Sequence, residues 1–237
     1  MLFNILLGGG TAGEKILYLL ISILALLPAL TFHEWAHGYT AYKLGDSTAK
    51  ADGRLSLNPL DHIDPIGTLM LLLVGFGWAK PVPINTRNFK KPKRDIALTS
   101  IAGPLMNFIV AFISVLLYVL CLYVFVRIPI NDATAEVILL VFLYSALYNL
   151  GLGTFNLIPL PPLDGSNVLM CLLPPKAAMQ YSRIRYYSHY IFIGIILLSR
   201  LPLGIDVFAP LDFIRGWLFD TFFELADKII WPFFEFI

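Results

Sequence analysis

The stretch "LLPALTFHEWAHGYTAYKLG", residues 26–45, sets two histidines and a glutamate in an otherwise apolar run. Residues 16–44 read as one long helix with a kink at Pro28. At 1.5 Å per residue such a helix is roughly 43 Å long, more than the ~30 Å of a bilayer's hydrocarbon. A run this apolar is a membrane-crossing helix, because only internal hydrogen bonding satisfies a backbone in lipid. His33 falls roughly 26 Å from its start, inside the membrane and towards the far side of the crossing. Ionisable groups at that depth are costly and mark function.

Composition agrees with a polytopic membrane protein. Hydrophobic residues are 58% and charged residues 14% of the 237, and mean hydropathy is +0.76. Soluble domains lie nearer 45–50% apolar and about 25% charged. A net charge of +1 implies no bulk attraction to nucleic acid. Cys121 and Cys171 both lie in apolar segments and read as small buried hydrophobes, not as a disulfide or metal pair. The first apolar helix lacks a basic leader and a small-residue cleavage site, so no cleavable signal peptide is expected.

Beyond the first helix, residues 45–95 change character. "KADGRLSLNPLDHIDPIG" is turn-rich and "NTRNFKKPKRD" is basic. Between them "TLMLLLVGFGWAKPVPI" is too short and too broken by glycine and proline to span. It reads as a re-entrant or interfacial segment ending in extended chain. Further spans are expected at about 96–126, 134–155 and 187–201, with a short apolar piece reaching residue 173. In the tail, Asp212, Gly216, Asp220, Glu224 and Asp227 recur every three to four residues, with Ile214, Leu218, Phe222 and Leu225 elsewhere. That pattern is an amphipathic helix lying in the interface or docking on the bundle. No internal repeat is present.

Lysine and arginine set the orientation. Residues 45–95 carry Lys50, Arg54, Lys80, Arg87, Lys90, Lys91, Lys93 and Arg94, and 176–185 carry Lys176, Arg183 and Arg185, whereas 128–133 carry none. The positive-inside rule then places 45–95 and 176–185 in the cytoplasm, and the polar cluster opens towards that side.

HEWAH is an HExxH motif. Histidines four apart on a helix face the same way and can share one metal ion, with Glu34 beside them to take a proton from water. Zinc suits imidazole and lowers the pKa of bound water towards 7. Asn or Asp–Gly turns are common in loops, but Asp164 is the sole carboxylate between Glu136 and Asp206. It follows a proline-broken stretch of the kind tolerated at depth where backbone lines a cavity. Asp164 is therefore the candidate third ligand. His62 and His189 are rivals whose settings, a turn-rich stretch and the sequel to a basic loop, suit surface or structural roles.

Taken together, HEWAH, GPLMN and NLIPLPPLDG resemble the site-2 protease family of intramembrane zinc metalloproteases. "GRLSLNPLDHIDPIGTL" and "GWAKPVPINTRNF" resemble its small prokaryotic members without a PDZ domain. The resemblance implies His33, His37 and Asp164 as ligands of one zinc ion and Glu34 as catalytic base. It points to Asn156 and Asn107 as polar groups at the reaction, with hydrogen bonding between helices as the alternative for both. Gly75 and Gly77 resemble the family's GxG near the substrate, with helix packing as the alternative.

The expected fold is all-α: about four transmembrane helices, a re-entrant β-containing segment and a C-terminal amphipathic helix. Residues 1–204 form the protease domain and 205–237 the tail. The expected activity is hydrolysis of peptide bonds in transmembrane protein or peptide substrates within the bilayer, by a multi-pass cell-membrane protein of unassigned oligomeric state. The edge of the extended chain around residues 78–84 offers pairing to an unwound substrate. The alternatives are a metal transporter or a catalytically silent binding protein on the same scaffold. Transporters need no base beside the metal and usually show repeats. A tethered soluble-type zinc peptidase would require a soluble domain, which this chain lacks.

Overall fold

A computed structural model describes residues 10–74, 77–128, 130–200 and 206–235. Helix α1 (Ala12–Lys43) opens on a capping box: Thr11 accepts from the Glu14 N–H, and Glu14 accepts from the Thr11 N–H. Its buried positions, among them Ile21, Ala25, Ala29, His33, Ala36, His37 and Ala41, recur at three- and four-residue steps. Gly45, at φ +112°, turns the chain away from the helix end. A short helix, α2 (Thr48–Ala51), follows.

Helix α3 (Pro65–Val74) replaces the β structure expected in the re-entrant segment. Among the described residues there is no strand. The chain after α3 is extended, but Pro81 and Pro83 withhold two amide donors, so no ladder forms along it. It folds back tightly: a Cβ on Gly67 would overlap the Trp78 carbonyl. Gly77 opens this return, whereas Gly75 lies outside the described residues.

Two long helices come next, α4 (Pro92–Arg127) and α5 (Asp132–Asn156). Paired polar contacts align them antiparallel: Asn107 with Asn149 at 2.8 Å and Ser114 with Ser145 at 2.8 Å. Such interhelical bonds satisfy polar groups that lipid cannot. α1 packs against both, and its histidine end meets the N-terminal half of α4. By length and composition α1, α4 and α5 are the three described helices able to cross a membrane. The expected fourth span falls within α7 (Pro175–Arg200), which is not among them. Its first half carries Lys176, Arg183 and a run of tyrosines, leaving too short an apolar stretch.

Between α5 and α7, α6 (Asp164–Leu172) folds back onto α4. The tail helix α8 (Ala209–Ile230) runs in the direction of α4, with Phe222 against Phe112, Asp227 against Tyr123 and Phe234 against Arg127. Ala226 is fully buried with Val115, Val119 and Ala146, so the tail docks on the bundle.

Candidate metal centre

The HExxH turn of α1 directs His33 and His37 at one point, and α6 brings Asp164 to it. His33 Nε2 lies 3.1 Å from His37 Nε2, and each lies 3.2 Å from Asp164 Oδ2. Both histidines are buried.

Local sequence explains each approach. Pro159, Pro161 and Pro162 stop α5 and turn the chain, so Asp164 occupies the first position of α6. Gly165 sits so close to the Leu157 carbonyl that any Cβ would overlap it. Only glycine lets the start of α6 close onto the end of α5. On the opposite side Gly103 of α4 lies flat against the imidazoles. A Cβ there would come within 2.6 Å of His37 Cε1 and 2.8 Å of His33 Cε1.

The histidine tautomers follow from their outer partners. His37 Nδ1 lies 2.7 Å from the Thr99 carbonyl, an acceptor only, so Nδ1 carries the proton. The Asn107 amide donates to the Ala29 carbonyl at 3.1 Å and to Asn149 Oδ1 at 2.8 Å. Asn149 in turn donates to the Ser145 carbonyl. Asn107 Oδ1 is thereby left to accept from His33 Nδ1 at 2.6 Å. In the neutral imidazoles these bonds direct both Nε2 lone pairs at the point they share with Asp164.

Three potential ligand atoms, two nitrogens and a carboxylate oxygen, thus converge within reach of one cation. Ligands 2.0–2.1 Å from a tetrahedral zinc stand about 3.3 Å apart, close to the spacing here. Histidine ligands also characteristically donate their other nitrogen to a carbonyl or carboxamide oxygen. The residues fit zinc.

Curated proteins similar to this chain carry metalloprotease names. A family profile, Peptidase family M50, matches residues 122–199. The "Putative zinc metalloprotease YwhC" of Bacillus subtilis is 42% identical over 190 residues, covering 80% of this chain and 84% of that protein. The chain belongs to peptidase family M50, the site-2 protease family. Two further relatives share less identity with the chain. The "Putative zinc metalloprotease Rip2" of Mycobacterium tuberculosis strain Erdman is 28% identical, covering 85% of this chain and 71% of that protein. The "Zinc metalloprotease MJ0392" of Methanocaldococcus jannaschii is 28% identical over 74% of this chain and 41% of its own length. No solved structure matches the chain significantly. This M50 chain is a zinc metalloprotease, and its long apolar helices make it a multi-pass membrane protein.

The remaining candidate residues take distinct places. Glu34 Oε2 accepts from the Val82 N–H at 2.9 Å. Asn107 lies behind the cluster, on the outer nitrogen of His33. Asn156, at the end of α5, donates from Nδ2 to the Leu152 carbonyl of its own helix. His62 is buried with Nε2 2.8 Å from the Ser56 carbonyl and does not belong to the cluster. The His189 side chain lies outside what the structure describes.

Several contributors escaped the sequence reading. Thr99, Asn149, Gly103, Gly165 and Val82 all act on the site from other elements. For Gly103 and Gly165 the signal is present, since they lie inside the GPLMN and PLDG motifs. Thr99 and Val82 act through backbone groups, which residue identity does not advertise.

Proposed function

We propose that this protein is an intramembrane endopeptidase that cuts transmembrane segments of membrane proteins. His33, His37 and Asp164 are its zinc ligands and Glu34 is its base. The convergence of three potential metal-ligating atoms next to a glutamate in the same helical turn carries this reading. Zinc held there supplies Lewis acidity towards a carbonyl and lowers the pKa of water. Glu34 has Oε2 engaged by Val82, so Oε1 takes the proton of the attacking water and delivers it to the leaving amine. Asn156 retains a second Nδ2 hydrogen with which to steady the developing oxyanion. Asn107 and the Thr99 carbonyl hold the two imidazoles in orientation and tautomer.

A substrate helix must unwind to expose its carbonyl. Gly77 and the extended chain after it offer an edge for the unwound segment, and Gly75 belongs to the same reading. The charge asymmetry of the loops supports a cell-membrane protein whose site opens to the cytoplasm, releasing a cytoplasmic fragment. Residues 1–204 carry this activity and 205–237 form a separate tail element.

The test compares membrane peptides by mass spectrometry in cells carrying the wild type or Glu34→Gln. Cleaved single-span proteins should appear only with the wild type, while purified Glu34→Gln keeps about one zinc per chain. Asp164→Asn should lose the metal and His62→Ala should keep it. Metal retained in Asp164→Asn, or cleavage by Glu34→Gln, overturns the assignment.

A further inference from the structure

The chain from Gly77 to Asn85 is a strap that passes α1 at Glu34 and Gly38, and it is tied down at Lys80, Pro81, Val82 and Asn85. The Lys80 N–H donates to the His62 carbonyl at 2.9 Å. The Arg54 guanidinium donates to the carbonyls of Lys80 at 3.0 Å and Pro81 at 3.3 Å. The Val82 side chain is buried against Gly38, one turn beyond Glu34, where an added Cβ would stand 2.9 Å from Val82 Cγ1. The Asn85 N–H donates to Asp46 Oδ2 at 2.7 Å. Asp46 is wholly buried, and its other oxygen accepts from Thr48 and from Asn88 Nδ2. Between these ties the Val82 N–H meets Glu34 Oε2.

We infer that Arg54 and Asp46 are positioning residues for catalysis: they clamp the strap so that the Val82 amide fixes the Glu34 carboxylate with its other oxygen free. This rests on the protease reading above. A segment held at four places by buried or charge-assisted bonds is built to stay. Pro81 and Pro83 flank Val82 and have no N–H, so Val82 supplies the donor at the one point that faces the base. A carboxylate on a flexible side chain otherwise samples several rotamers, and a misplacement of about 1 Å at a reacting group can cost on the order of 10²-fold in rate.

Two measurements on the purified full chain test this. Hydrogen exchange reads the clamp without turnover: the Val82 amide should be protected in the wild type and lose protection in Glu34→Ala and in Arg54→Ala. The two prolines leave few other amides in the peptide that reports it. Turnover of a model transmembrane substrate reads the consequence. Arg54→Ala should lower kcat by roughly tenfold or more with KM and zinc content little changed, and Arg54→Lys should recover part of the loss. Val82→Pro, which deletes the N–H, should give a similar loss, and combining it with Arg54→Ala should add little.

Multiplicative losses in that double variant, a loss confined to KM, or an unprotected Val82 amide in an active wild type would each overturn the inference. A protected amide in a wild type that cleaves no membrane substrate would instead overturn the protease reading.

Discussion

Gly103 shows how little room the metal centre leaves. Its missing side chain is the space the two imidazoles occupy. Gly103→Ala should push them off their common point and weaken zinc roughly ten- to a hundredfold, measured by competition with a chelator. Gly194→Ala, in open space on α7, should leave zinc affinity unchanged. Asp46 makes a second prediction, about pH. Burial alone would raise its pKa, but the bonds from Thr48, Asn88 and Asn85 outweigh burial and hold it below the ordinary carboxylate value. A carboxyl depressed in the folded state contributes stability above its unfolded pKa of about 3.9 and loses it as pH falls through the lower folded value. Thermal unfolding in detergent should therefore show an acid destabilisation below about pH 4 that is reduced in Asp46→Ala. That variant should be destabilised by roughly 1–2 kcal/mol at neutral pH, because the part-buried donors of Thr48, Asn85 and Asn88 lose their acceptor. Asp46 sits in plain view in the sequence, yet it has no recognisable role until its neighbours are known.

Among the elements, the long helices were readable and the short ones were not. Expected spans at 96–126 and 134–155 match α4 and α5 within a few residues, because sustained apolarity over a bilayer's thickness has few other solutions. The segment 68–84 is expected to be re-entrant and to end in extended chain with a β part, and its described residues hold no strand. It forms helix α3 and then a strap whose partners are side chains of α1 and the loop after it. The tail was readable as amphipathic, but its apolar face alone could not name the surface it covers. α8 is held on α4 by packing and by the Tyr123 hydroxyl, which donates to Asp227 at 2.6 Å. Tyr123→Phe should leave that carboxylate short of a donor and loosen the tail. The loss should register as faster hydrogen exchange in residues 209–230, with exchange in α1 unaffected.

For the whole molecule, the asymmetric loop charges make a topological prediction. A thiol reagent that cannot cross membranes should label Asp132→Cys in intact cells, and Lys90→Cys only after permeabilisation. The reverse pattern would place the metal centre on the outer side. The bundle also carries the two candidate site carboxylates, Glu34 and Asp164, on separate elements. HExxH is legible in sequence because one helical turn sets both histidines and the glutamate at fixed angles, a constraint local to five residues. The apolar runs are legible for a similar reason, since the bilayer imposes one length on any helix that crosses it. The sequence by itself therefore determined the membrane class, the histidine pair and the candidate third ligand. Only the tertiary structure decided that Asp164 closes on that pair, that Asn107 stands behind His33, and that a backbone amide holds Glu34. Those relations join residues far apart in the chain, and close packing between helices, made possible by glycines at two contacts, is what brings them within bonding distance.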